Sequence, residues 1–190
     1  TVLDIGAGSG VVALMIAQRS DAMTIDAVEV DENAYEQAVE NFEKSDWGDR
    51  LYCYNATFQE FADEIAAEEE RYDLIVSNPP FYTDSFESED VSRNKARFTS
   101  SLSFEELLVG VSKILSENGV FSTIIPFKEE MNFINIAKEH RLFLNKVCRV
   151  QGNIKSEVKR SLLSFSFQET EIQETHLIIE IARHQYTEDY

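Results

Sequence analysis

The segment Asp4-Ile5-Gly6-Ala7-Gly8-Ser9-Gly10 limits the fold more than any other part of this chain. It follows a short apolar run, Thr1–Ile5, and leads into a stretch over Gly10–Arg19 with the character of a buried helix. The reading is strand, tight turn, helix. Closely spaced glycines let the backbone turn sharply, approach a ligand and present amide N–H groups near a helix N-terminus. The spacing is not that of a dinucleotide turn. In G-x-G-x-x-G counted from Gly6 the third glycine would stand at position 11, which is Val11. No G-x-x-x-x-G-K-[ST] occurs, and Asp4 sets a negative charge where a pyrophosphate would be repelled. The turn favours a cationic ligand without phosphate.

Strand and helix then alternate. Thr24–Val30 reads as a second strand, and Asp31 as the N-cap of a helix in which Ala34, Ala38 and Phe42 recur every four residues. Leu51–Asn55 and Tyr72–Ser77 are further strands, with a helical pattern around Glu60–Glu69 between them. The acid run Glu68-Glu69-Glu70 is the exposed end of that helix. Leu102–Leu115 is helical with Leu107, Val111, Ile114 and Leu115 on one face, Asn118-Gly119 stops it, and Val120–Ile125 is a strand ended by Pro126. After a helix near Lys128–Glu139, the runs Leu142–Val150, Leu162–Phe167 and His176–Ile181 have no helix between them, which predicts antiparallel strands at one side of the sheet. Five βα units followed by a hairpin make an α/β fold: a mostly parallel, Rossmann-like sheet with helices on both faces, whose ligands sit beyond the carboxyl ends of the strands. At 190 residues and 43% hydrophobic composition, one domain spanning 1–190 is expected.

Two further strand ends carry chemistry. The second strand closes on Val28-Glu29-Val30-Asp31, and the Glu29 carboxylate, placed after the glycine turn, can accept two hydrogen bonds from ribose hydroxyls. S-adenosyl-L-methionine, with an ammonium, a sulfonium and no phosphate, satisfies both the acid before the turn and the acid after the second strand. The fourth strand runs into Asn78-Pro79-Pro80-Phe81, where two prolines end the ladder and leave rigid acceptors pointing outward. An amine conjugated to a ring is a weak nucleophile. Two fixed acceptors, the Asn78 side-chain oxygen and the Pro79 carbonyl, can hold its hydrogens, while Phe81 offers a face for a flat base.

The acid-glycine turn, Glu29 and the Asn78-Pro79-Pro80-Phe81 corner together resemble the amino-methylating branch of the class I S-adenosylmethionine-dependent methyltransferases. Within that branch, Ser77 to Tyr82, then Arg93, Ala96-Arg97, Val150-Gln151-Gly152 and Lys159-Arg160-Ser161-Leu162-Leu163 resemble the bacterial tRNA(Val) adenine-N6 methyltransferase family, which modifies the adenine beside the anticodon. The resemblance implies methyl transfer to the N6 of that adenine, with tRNA as partner. Methyl transfer to guanine N2 of rRNA or to a protein glutamine amide is the alternative, because those enzymes share N-P-P-[FY]. It implies cofactor contacts from Asp4, Gly6, Ala7, Gly8, Glu29, Val30, Thr57 and Asn78, a catalytic corner of Asn78, Pro79, Pro80 and Phe81, and substrate contacts from Phe81, Tyr82, Arg93, Lys95 and Arg97. The sequence departs from the family where an acid after the third strand would contact the cofactor adenine: Asn55-Ala56-Thr57 stands there, leaving Thr57, backbone amides or an apolar slot for that task.

Charge is unevenly spread. The net charge is −18, yet residues 93–160 hold 12 of the 17 Lys and Arg against 7 acids, a candidate face for a phosphate backbone on a chain otherwise ill suited to polyanions. Cys53 and Cys148 lie in apolar runs and read as inert buried thiols in a reducing, cytoplasmic setting. His140, His176 and His184 lack metal-ligand spacing, and no metal is expected. No apolar run approaches the roughly 20 residues of a membrane span, and the start at Thr1, already within a strand, predicts a preceding segment and a further tail.

Overall fold

A computed structural model of the chain describes residues 1–79 and 102–190. In chain order the elements are β1 (Val2–Ile5), α1 (Val11–Arg19), β2 (Ile25–Glu29), α2 (Glu32–Glu43), β3 (Leu51–Asn55), α3 (Phe58–Ala67), β4 (Tyr72–Ser77), α4 (Phe104–Ile114), β5 (Leu115–Pro126), α5 (Glu130–Glu139), β6 (Phe143–Asn153), β7 (Val158–Ser166), β8 (Gln173–Ala182) and β9 (Gln185–Tyr186). A single 3₁₀ turn, Phe127–Glu129, links β5 to α5.

The strands form one nine-stranded sheet in the order β3-β2-β1-β4-β5-β7-β6-β8-β9. From β3 to β5 every neighbour is parallel. The order reverses at β1, since the chain first builds outward to β3 and then returns to lay β4 on the other side. That reversal opens a crevice at the carboxyl ends of β1 and β4, the position where sheets of this kind bind ligands.

Local sequence accounts for the helices. Asp31 caps α2 by accepting from Ala34 N–H at 2.9 Å. Thr57 and Ser103 open α3 and α4 with reciprocal capping boxes to Glu60 and Glu106. Alternation along the strands then divides the core in two. Leu3, Ile5, Ile75, Phe121, Leu163 and Phe165 face α3, α4 and α5, whereas Val2, Ile25, Ala27 and Leu51 face Ala13, Ala17, Ala38 and Phe42 of α1 and α2. Phe133 of α5 fills the larger half, with its ring centroid 4.9 Å from Phe104 and 5.7 Å from Phe165.

Two expectations need correction. The helix before β5 ends at Ile114, and Asn118-Gly119 does not stop it. Leu115 already pairs with Tyr72 and Val120 with Leu74, so residues 116–119 form a bulge inside β5. The carboxyl-terminal strands are also not uniformly antiparallel. β6 and β7 form a hairpin whose second strand inserts beside β5, so both edges of β7 are occupied. The strand after it falls on the free edge of β6 and runs parallel to that strand.

Candidate active site

The two corners singled out by sequence stand side by side. Ile5 is in register with both Val28 of β2 and Ser77 of β4, and Ser77 Oγ donates to the Ile5 carbonyl at 3.1 Å. Gly6 and Asn78 therefore leave adjacent strands at the same level, about 5 Å apart by the spacing of a sheet. By the same register Glu29 and Asn55, the paired last residues of β2 and β3, stand at that level too, tied together by Asn55 Nδ2 donating to the Glu29 carbonyl at 2.9 Å.

These strand ends border a cavity of about 520 Å³, within the roughly 300–1,000 Å³ of small-molecule sites. Its floor is Ile5, Gly6 and Val28, one wall is Glu29 and Val30, and another is Ser77, Asn78 and Pro79. The far side comes from Ala56, Thr57, Phe58 and Gln59 at the start of α3 and from Leu102 and Glu106 before and within α4. Among these described lining residues there is no Lys or Arg, and two are carboxylates. Such a lining suits an apolar ring and a positively charged group, and it is wrong for a phosphate.

The glycine turn follows a left-handed path, with φ of 68° at Gly6, 56° at Gly8 and 78° at Gly10. Gly10 also has no room for a side chain, because a Cβ there would strike the Phe42 ring. The first three glycine-turn amides, those of Gly6, Ala7 and Gly8, are engaged within the protein rather than free for a ligand as the sequence suggested. Gly6 and Ala7 N–H both donate to the Val28 carbonyl, at 2.9 and 3.2 Å, and Gly8 N–H donates to Glu29 Oε2 at 2.8 Å. What the turn offers is its contour: a Cβ built on Gly6 or Gly8 would meet nothing within 4 Å. Glu29 Oε1 accepts a second bond, from Asp31 N–H at 2.9 Å. An ionised carboxylate has about four acceptor sites, so each Glu29 oxygen keeps one for an outside donor.

Asp4 is placed differently from the expectation that it faces a cationic ligand. It is 2% exposed and its Oδ2 accepts from Ala13 N–H at 3.1 Å, fastening the end of β1 to the first turn of α1. Burial pushes its carboxyl up to about 7, against the lowering effect of the Ala13 bond, and nearby Glu29 adds to the rise. The Thr57 hydroxyl is committed as well: it donates to Glu60 Oε2 at 2.6 Å and accepts from Glu60 N–H at 3.3 Å. Ala56, Phe58 and Leu102 give the cavity an apolar slot on this side. Sequence reading missed Phe58, Gln59, Leu102 and Glu106. The capping boxes Thr57-x-x-Glu60 and Ser103-x-x-Glu106 were the available signal, since they fix where α3 and α4 begin beside the strand ends.

Asn78 is exposed at the cavity and Pro79 is buried beneath it. Pro80, Phe81, Tyr82, Arg93, Lys95 and Arg97 lie outside the described residues.

Residues 1–99 match the methyltransferase small domain family. Over 99% of this chain the fold superposes on 85% of a predicted O-methyltransferase from Agrobacterium tumefaciens, with a TM-score of 0.71 at 17% identity. A ribosomal protein L11 methylase from Lactobacillus delbrueckii subsp. bulgaricus matches 89% of the chain and 69% of its own, with a TM-score of 0.59 at 16% identity. Both likenesses speak for the fold alone. Sequence relatives are closer. A tRNA1(Val) (adenine(37)-N6)-methyltransferase of Christiangramia forsetii is 55% identical over 100% of this chain and 79% of its own length. One of Flavobacterium johnsoniae is 54% identical over 100% of this chain and 80% of its own, and one of Bacteroides fragilis is 42% identical over 100% and 78%. The chain belongs to the tRNA1(Val) (adenine(37)-N6)-methyltransferase family.

Other side chains of this methyltransferase have structural surroundings. Cys53 and Cys148 are half-buried, short of the full burial expected, and desolvation pushes the Cys53 thiol up to about 11. His140 pairs with Glu105 at 2.8 Å. Among the described residues no helix is long and apolar enough to cross a membrane.

Proposed function

We propose that this methyltransferase moves the methyl group of S-adenosyl-L-methionine to the exocyclic N6 of adenine 37 in tRNA(Val), in the cytoplasm. The observation that carries the reading is the adjacency of Gly6 and Asn78, which sets a nucleoside-sized cavity and a rigid pair of acceptors on neighbouring strand ends. The lining residues fit the cofactor: two carboxylates, an apolar slot and glycines with open space above them suit a cationic nucleoside. When bound, S-adenosyl-L-methionine supplies an electrophilic methyl on a sulfonium.

Glu29 offers its two remaining acceptor positions to the vicinal ribose hydroxyls, and the Gly8 bond keeps that carboxylate from swinging away. Ile5, Val28, Phe58 and Leu102 enclose a flat ring and exclude water from it. At the other end, the Asn78 oxygen and the Pro79 carbonyl accept from the two amino hydrogens of the acceptor adenine. That grip draws electron density back to nitrogen and aims its lone pair, an effect of orientation and fixed dipoles. Phe81 provides a stacking face for a base turned out of the anticodon loop, where unstacking is less costly than in a duplex. The amino proton left after transfer passes to water.

The deciding experiment incubates the protein with isotopically labelled cofactor and three acceptors: tRNA(Val) transcript, the same transcript with adenine 37 replaced by guanine, and a tRNA-free protein extract. Label in the first alone supports the reading. Label in protein, or equal label in both transcripts, overturns it.

A further inference from the structure

The carboxyl edge of the sheet does not end level with the cavity. β5 runs three residues past Thr123, the partner of Ser77, to Pro126, which pairs with Arg160 of β7. β7 begins two residues further out and its hairpin partner β6 reaches Asn153. At the rise of a strand the 153–157 turn stands about 15 Å above the level of Asn78, and β7 is displaced sideways by two strand spacings, about 10 Å. The hairpin thus forms a wall beside the mouth of the cavity.

Its turn is preordered. Asn153 N–H donates to Ser156 Oγ at 2.9 Å, Lys155 N–H to Asn153 Oδ1 at 3.0 Å, and Ser156 N–H to the Asn153 carbonyl at 3.0 Å. This rigid tip presents Ile154 at 73% exposure, and Phe127, next to β7 in the 3₁₀ turn, is 40% exposed with the Arg149 guanidinium 6.0 Å from its ring centroid. Residues 141–160 contain six Lys and Arg and one acid, within a chain of net charge −18. Arg149 is neutralised by Glu130 and Glu174, at 2.7 and 2.9 Å. Lys128, Lys155 and Lys159 are exposed, and among the described residues none of them has a carboxylate within ion-pair distance.

We propose that the β6–β7 hairpin and the adjoining 3₁₀ turn are a docking wall for the RNA strand that flanks the methylated base, with Lys128, Lys155 and Lys159 meeting phosphates and Phe127 and Ile154 meeting bases or sugars. This rests on the reading of tRNA as acceptor. Cations interleaved with exposed apolar groups are the chemistry that grips single-stranded RNA. An acidic protein would find the same cations, and the assay that offers a protein acceptor distinguishes it; the spacing of cations and apolar groups along one wall beside the cavity is what favours a nucleic-acid strand. The wall also resolves the charge problem, because it is a local cationic strip on a polyanion-repelling molecule, placed where the acceptor base must enter.

The test measures anisotropy of a labelled anticodon stem-loop RNA against the protein over a range of salt concentrations, with methyl transfer followed in parallel. The double variant Lys155→Glu/Lys159→Glu is expected to weaken RNA binding and raise the KM for RNA by at least about tenfold. It is also expected to flatten the slope of log Kd against log salt by roughly 0.7–0.9 per lost phosphate contact. Cofactor affinity by calorimetry stays unchanged. Phe127→Ala weakens binding with the salt slope retained. Unaltered RNA affinity and slope in a reversal variant that keeps the wild-type melting temperature overturn the wall; if the reversal does not fold, the pair Lys155→Gln/Lys159→Gln decides in the same way. Wild-type protein that methylates tRNA while the variants match it refutes the wall alone. Wild-type protein that methylates only a protein acceptor refutes the wall together with the tRNA reading.

Discussion

Asn78, Glu29 and Asp4 sit within one turn of the same edge and do three different things. Asn78 is exposed and touches the reacting amine in the proposed complex, so Asn78→Ala is expected to lower kcat by about 10²–10³, the usual cost of one fixed transition-state partner. Cofactor affinity by calorimetry remains within about threefold, and wild-type turnover in the variant removes Asn78 from the chemistry. Glu29 is bonded to Gly8 and Asp31 and keeps acceptor capacity, so Glu29→Gln, which exchanges an ionic acceptor for a neutral amide, weakens cofactor binding by about tenfold or more. Asp4 is buried behind the cavity lining, bonded to Ala13 N–H. Its carboxyl is raised to about 7 in the folded protein by burial, above its unfolded value, so the folded state holds the proton more tightly. The stability contributed is complete at acid pH below the unfolded value and is lost as pH rises towards about 7. Asp4→Asn keeps an acceptor for Ala13 N–H and removes that loss. Urea unfolding is expected to show the variant gaining on wild type by about 1–4 kcal/mol between pH 4.5 and pH 8, and a gap independent of pH contradicts this account.

At the scale of elements, the fold rests on a few tight junctions. Gly10 ends the turn at φ 78° with the Phe42 ring where a Cβ would stand. Gly10→Ala therefore combines left-handed strain with overpacking and is expected to destabilise by about 2–4 kcal/mol in chemical unfolding. Phe133, fully buried between Phe104 and Phe165, has the larger cost on truncation: Phe133→Ala by about 3–5 kcal/mol. The turn, the strands β1 to β4 and the helices that follow them could be read from sequence because each rests on local chemistry: glycine spacing, the Asp31 cap, the four-residue repeat of α2. The bulge at 116–119 could not, since Asn118-Gly119 is equally good at ending a helix and at kinking a strand, and only pairing with Tyr72 chooses. The parallel placement of β8 was illegible for a similar reason, being imposed by the occupied edges of β7. At the site, the acids and the Asn78-Pro79 corner were legible as residues. The inward turn of Asp4 depends on how α1 docks against the end of β1, whereas the engagement of the Thr57 hydroxyl by Glu60 is a local capping box that the sequence spacing already carries.

The molecule as a whole carries a charge of −18, and like-charge repulsion within it opposes compaction. Raising ionic strength from about 10 mM to 150 mM shortens the Debye length from about 30 Å to about 8 Å, so the melting temperature is expected to rise with sodium chloride over that range. A falling temperature would mean that ion pairs such as Lys113 with Asp63 at 2.6 Å outweigh the general repulsion. The cavity has a different bearing on the molecule. Its boundary runs from Ile5 to Glu106, so residues more than a hundred positions apart in sequence must all have arrived before anything can be enclosed. Occupancy is consequently a certificate of completed folding: a nucleoside held there at a hundredfold excess over its Kd adds about 2.7 kcal/mol against global unfolding. A cell starved of methyl donor would then own a less durable enzyme as well as an idle one.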